Sequence, residues 1–120
     1  MSIRLLVCGG RYYNDVARLC SALDSVHRVI GVSCLIDGAC YLGGADLLAY
    51  QWAVRNGVST ERYPVDHSLD GPWPGAGNRR NARMLAASKP DRVLGFPGGS
   101  GTAHMIRIAS AARVPSVLLK

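Results

Sequence analysis

The residues best suited to chemistry in this chain are Pro97-Gly98-Gly99-Ser100-Gly101-Thr102, a glycine-rich run set between an apolar stretch and an amphipathic one. Glycines let a backbone turn tightly enough to aim several N–H groups at one anion, and a helix start behind them adds partial positive charge. Ser100 and Thr102 supply hydroxyl donors. The run lacks the lysine of a Walker A loop and the G-x-G-x-x-G spacing of a dinucleotide turn, so it reads as a phosphate cradle of another kind. A second constellation is Gly77-Asn78-Arg79-Arg80-Asn81-Ala82-Arg83-Met84. It puts cations at a helix start, the end where the backbone dipole disfavours them, so an anion or an acidic neighbour must compensate. Arg80 and Arg83 share a face and Arg79 points elsewhere. Arg80, with Asn81 beside it, is the expected ligand-facing residue.

The first turn, Cys8-Gly9-Gly10-Arg11-Tyr12-Tyr13, repeats the design. Gly9 and Gly10 permit close approach, Arg11 reaches phosphate, and a tyrosine either stacks on a base or ribose or caps the core. Gly43-Gly44-Ala45-Asp46 opens another helix, where Asp46 is a ligand contact or simply a favourable charge in a first turn. Asp37 ends an apolar run and is a candidate for a ribose hydroxyl. His67 and His104 are lone histidines, and His104, just past the glycine run, is the more interesting.

Composition narrows the chemistry. Twelve arginines and two lysines against eight acids give the 120-residue chain a charge of +6, which favours anionic partners. Arginine rather than lysine suits planar, bidentate grip on phosphate or carboxylate. Seven aspartates accompany one glutamate, Glu61, so a glutamate base has a single candidate. Cys8, Cys20, Cys34 and Cys40 form no C-x-x-C pair, and no histidine stands at metal-ligand spacing. Reduced thiols, no metal and no cofactor are expected. With no long apolar segment and no signal-peptide core, a cytoplasmic location and no membrane partner are expected.

Regular elements must position these residues. Apolar runs at Ile3–Cys8, Val32–Ile36, Val58–Tyr63, Arg92–Phe96 and Ser116–Leu119 read as five strands. Helical spacing fills Asn14–Val29 (N-cap Asn14 or Asp15), Ala45–Asn56 with Gly57 beyond its end, Asn78–Ser88 and Thr102–Arg113. Between them Pro64–Gly77 carries three prolines and three glycines and reads as a long functional loop. Such alternation predicts an α/β fold, a Rossmann-like three-layer sandwich with a parallel five-stranded sheet, as one domain over residues 1–120. Ligands of such sheets bind beyond the C-terminal strand ends, where all the glycine turns fall.

Four segments, V-C-G-G-R-x-Y, G-A-x-x-x-x-G-A-D, A-G-x-x-R-N-A-R-M-L and F-P-G-G-x-G-T-A, resemble the YspA/cpYpsA-related branch of the SLOG superfamily, common in bacteria and their phages. That superfamily includes the Lonely Guy enzymes and the DprA proteins. The resemblance implies a domain that binds a nucleotide or nucleotide-derived small molecule as a sensor or processing domain. Gly9, Gly10, Arg11, Asp46, Arg80, Asn81 and Pro97 to Thr102 would line its site. Lonely Guy enzymes cleave a nucleotide N-glycosidic bond with an arginine and a glutamate, and the resemblance places the arginine, as a catalytic residue, on Arg80. The glutamate position holds Met105, whose thioether cannot serve as a general base. Phosphoribohydrolase activity is therefore one alternative. Single-stranded DNA binding of the DprA kind is another, less favoured because the arginines gather in pocket motifs. A homodimer is expected by analogy.

Overall fold

The computed structural model describes residues 2–120. Five strands, β1 (Ile3–Cys8), β2 (Val32–Asp37), β3 (Ser59–Arg62), β4 (Arg92–Gly95) and β5 (Ser116–Leu118), form one parallel sheet in the order β3-β2-β1-β4-β5. Five helices connect them: α1 (Val16–Val29), α2 (Gly44–Arg55), α3 (His67–Asp70), α4 (Ala76–Ser88) and α5 (Ser100–Ala111).

The central strand shows why the sheet lies between two helical layers. Successive side chains of a strand alternate between faces. Ile3, Leu5 and Val7 accordingly join Leu19, Leu23, Ala49 and Trp52 of α1 and α2 in one core. Leu6 and Cys8 join Met84, Met105 and Ala109 of α4 and α5 in the other. Both faces of β1 are covered, which explains its near-continuous apolar run. Register fixes the rim: Val7 pairs with Leu94 and Cys8 with Gly95, so the turns after β1 and β4 emerge side by side.

The expected architecture holds, with local corrections. Of the two N-cap candidates for α1, Asp15 is the cap, accepting the Arg18 N–H at 3.1 Å. Residues 64–77 are not one loop, because Asp66 caps the short helix α3 through the Ser68 N–H and α4 begins at Ala76. The helix after the glycine run starts at Ser100 rather than Thr102, with Gly99 as its N-cap. β4 closes at Gly95 and leaves Phe96, fully buried, as the first residue of the turn.

Candidate functional site

A cleft of about 1260 Å³ opens along the C-terminal strand ends. Its walls bring together Gly9, Gly10, Arg11, Asp46, Arg80, Asn81 and Pro97 through Thr102, but not Asp37. Residues 38–41, His67, Trp73 and the start of α4 complete it.

Three helices begin at this cleft. The N-caps of α2, α4 and α5 are Gly43, Gly75 and Gly99, and none has a side-chain cap. By contrast α1, whose first turn does not line the cleft, and α3, which reaches it only through His67, are each capped by an aspartate. An uncapped first turn leaves N–H donors and the positive end of the backbone dipole turned outward. Two of the three, α4 and α5, also have no acid in their first turns.

Backbone bonds weld the end of the cleft over β1 and β4. The Gly10 N–H donates to Pro97 O at 2.9 Å and Gly10 O accepts the Ala45 N–H at 3.1 Å. Side chains are excluded from this seam: a Cβ on Gly9 would lie 2.6 Å from that of Ala45, and one on Gly10 would lie 2.8 Å from Pro97 O. Gly98 is equally confined, with Gly10 N only 2.7 Å from where its Cβ would be. Glycine in these turns therefore follows from close approach of two backbones.

Of the three arginines near the start of α4, only Arg80 lines the cleft. Its guanidinium donates to Gly38 O and to Tyr63 O (3.1 Å), and its Nε to Asn81 Oδ1. Asn81, buried, passes the contact on by donating to Gly101 O at 3.2 Å. Arg80 thus ties the loops after β2 and β3 to the first turn of α5, and it carries part of the fold as well as its charge. Arg79 and Arg83 do not share this position. Arg79 donates to the carbonyls of Asp70, Pro72 and Pro74, and Arg83 makes a bidentate pair with Asp70 and reaches Pro64 O. The compensating groups that the dipole argument required are loop carbonyls and one buried aspartate. Arg83 holds the Asp70 carboxyl well below the usual range, at about 2.

The aspartates also separate. Asp37 is fully buried, pairs with Arg62 at 3.1 Å and accepts the Ala39 N–H at 2.7 Å, so a ribose hydroxyl has no access to it. Burial still raises its pKa, outweighing Arg62. Its work is to shape the loop in which Ala39 adopts a φ of +49°. Asp46, 7% exposed, is the one carboxyl lining the cleft among the described residues. It accepts the Cys40 N–H at 3.1 Å, and burial together with the nearby charge of Asp37 pushes its pKa up to about 6.

Other expectations resolve similarly. Tyr13 packs on Phe96, with ring centroids 5.5 Å apart, whereas Tyr12 stands exposed on the rim. His104 sits behind Asn81, its Nδ1 3.3 Å from Asn81 Nδ2, and it is His67 that lines the cleft. Met105 is fully buried in the core, so the position of the Lonely Guy glutamate does not face the site at all. Glu61 is engaged by Arg4 (2.7 Å) and the Tyr63 hydroxyl (3.0 Å), which lower its pKa. All four cysteines are free, and burial pushes the Cys8 thiol up to about 12. No cluster of metal-ligating side chains and no helix long and apolar enough to cross a membrane occurs among the described residues. Tyr41 and Trp73 border the cleft from loops, and of the two sequence reasoning missed Tyr41.

A parallel sheet flanked by helices, with glycine turns, uncapped helix starts and one arginine around a polar cleft, defines a Rossmann-like α/β arrangement. The chain belongs to the YspA, cpYpsA-related SLOG family (YAcAr), whose model matches residues 3–69. That membership points to a nucleotide-related ligand-binding or processing role. The match covers the first turn and Asp46, while the fold brings Arg80 and the second glycine run to the same place. A comparison with curated proteins gave no match.

Proposed function

We propose that the cleft binds a nucleotide or nucleotide-derived molecule, with its phosphate held by the backbone N–H groups of residues 98–102. The observation that carries this reading is the set of three glycine-started, uncapped helices opening on one cleft, two of them free of first-turn acids. Backbone donors of that kind bind anions without a long cationic side chain. Arg80, and Arg11 from the rim, add charge on either side.

Calorimetric titration with nucleoside monophosphates and the matching nucleosides tests it, using Gly101→Leu as the perturbation. A Cβ at Gly101 meets nothing within 4 Å, and side chains lean toward the start of their helix, here toward the cleft. The variant is expected to fold as well as wild type and to lose nucleotide binding. Equal binding of nucleosides and nucleotides, or full binding by the variant, would refute the proposal.

A second reading, N-glycosidic cleavage, is favoured by Asp46 being the carboxyl that lines the cleft. In its protonated form Asp46 would donate a proton to the departing base. Water would add to the anomeric carbon and return a proton to the carboxylate. Free base released by wild type and not by Asp46→Asn, followed by chromatography, is its expected signature. Intact nucleotide after incubation with wild type would dismiss it.

A further inference from the structure

The cleft has an anion end over β1 and β4, and a second half over β2 and β3 that the phosphate argument leaves without a role. Its most unusual occupant is Trp73, 57% exposed at the cleft wall. A large ring left in water is ordinarily explained by mobility at a loop tip. Here the loop is fastened. Arg79 donates to the carbonyls of Pro72 and Pro74 on either side of Trp73, and to that of Asp70. Gly71 and Gly75 bracket the segment with φ of +75° and +96°, and a Cβ at Gly75 would lie 2.6 Å from the Arg79 guanidinium. Arg83 anchors the same segment through buried Asp70. His67 meets the indole edge to face at 5.5 Å and 75°, and its Nδ1 donates to Gly71 O at 2.7 Å, which fixes the imidazole in turn. Two arginines, two prolines and a histidine thus hold one solvent-exposed indole in a set pose beside a cleft. Tyr41, 83% exposed, borders the same half from the loop after β2.

We infer that this half of the cleft is a nucleobase compartment, with Trp73 as its stacking face and Tyr41 as a second aromatic wall. The inference rests on the nucleotide reading above and deepens it: the ligand carries an aromatic base, and is neither a bare polyphosphate nor a sugar phosphate. An immobile ring loses little conformational freedom on binding, so fastening the loop raises affinity for a flat aromatic partner. Stacking is tolerant of base identity, since every base presents a π-face.

The test compares AMP, GMP, CMP and UMP with ribose 5-phosphate on wild type, Trp73→Ala and Trp73→Phe by calorimetry. Nucleotide titrations are also followed by tryptophan emission. Trp52, the other indole, is buried and hydrogen-bonded to Asp24, so its emission serves as an internal reference. At least one nucleotide is expected to bind wild type about tenfold or more tighter than ribose 5-phosphate, within the range base–aromatic stacking supplies. That nucleotide should quench exposed-indole emission, and ribose 5-phosphate should not. Trp73→Ala should erase the preference and leave ribose 5-phosphate affinity unchanged, while Trp73→Phe should retain most of it. Ribose 5-phosphate binding as tightly as every nucleotide, or a preference that survives Trp73→Ala, overturns the base compartment and leaves the phosphate site standing. No binding of any of the five compounds overturns both.

Discussion

Replacing Asp46 by asparagine should make the protein more stable, and the gain should depend on pH in a way fixed by the site. Asparagine keeps an acceptor for the Cys40 N–H and removes only the charge. In the folded chain the carboxyl titrates at about 6 against an ordinary 3.8, because it is buried and faces the charge of Asp37. A raised carboxyl stabilises the fold relatively below the unfolded value and loses that contribution as pH rises through the folded one. The penalty is therefore absent near pH 4, develops between about 4 and 6, and is complete above that. Two units correspond to about 3 kcal/mol, or roughly 10 °C in Tm for a chain of this size. Thermal unfolding of both proteins across this range reads the difference directly. Glu61 and Asp70 titrate in both and cancel, and the pKa of Asp37 should fall once its neighbour is neutral. A gain that does not vary with pH, or a loss at pH 8, would refute the electrostatic account. If the gain appears, the natural chain tolerates a costly carboxyl in its cleft, as ligand sites commonly do.

Arg83→Ala should cost about 3 kcal/mol near neutral pH, since it leaves the buried Asp70 carboxylate without its bidentate partner. Urea denaturation measures the loss. Because the pKa of Asp70 is depressed to about 2, the stabilisation is present above about pH 4 and fades as pH falls toward 2, where the variant and wild type should converge. Equal stability at pH 7 would show the pair to be ornamental. Gly98→Ala should lower Tm, because its Cβ would meet the backbone of Gly9 and Gly10. Gly101→Ala should raise stability by up to about 1 kcal/mol, the helix preference of alanine over glycine. A wild-type midpoint for Gly98→Ala would contradict the seam between the two turns.

How far the sequence discloses the site follows from which contacts are local. The five strands and the glycine turns are legible because burial of both sheet faces imposes apolar runs, and close backbone approach imposes glycine. Arg79 and Arg83 are misleading for the opposite reason. Their partners are carbonyls and a carboxylate from residues 64–74, and nothing in a helical spacing reveals where those atoms lie. Asp37 and Asp46 look alike in sequence, each beside a glycine turn, yet Arg62 on the neighbouring strand claims one and leaves the other on the cleft. Trp73 left a signal that was there to read: a lone tryptophan between two prolines, with no apolar periodicity to give it a core to enter.

The hydrogen bonds that join Gly10 to Pro97 and to Ala45 divide the cleft by how it can change over generations. Backbone contributed by three separate strand–helix junctions meets there, and a side chain added at Gly9, Gly10 or Gly98 disturbs more than one of them. Heredity is held nearly still at that end. The loops after β2 and β3 meet no such restriction at Tyr41 or at Trp73, where the backbone is fastened through main-chain carbonyls that accept any side chain between them. Related chains can therefore keep the same glycine seam and diverge in the loops that lie beyond it.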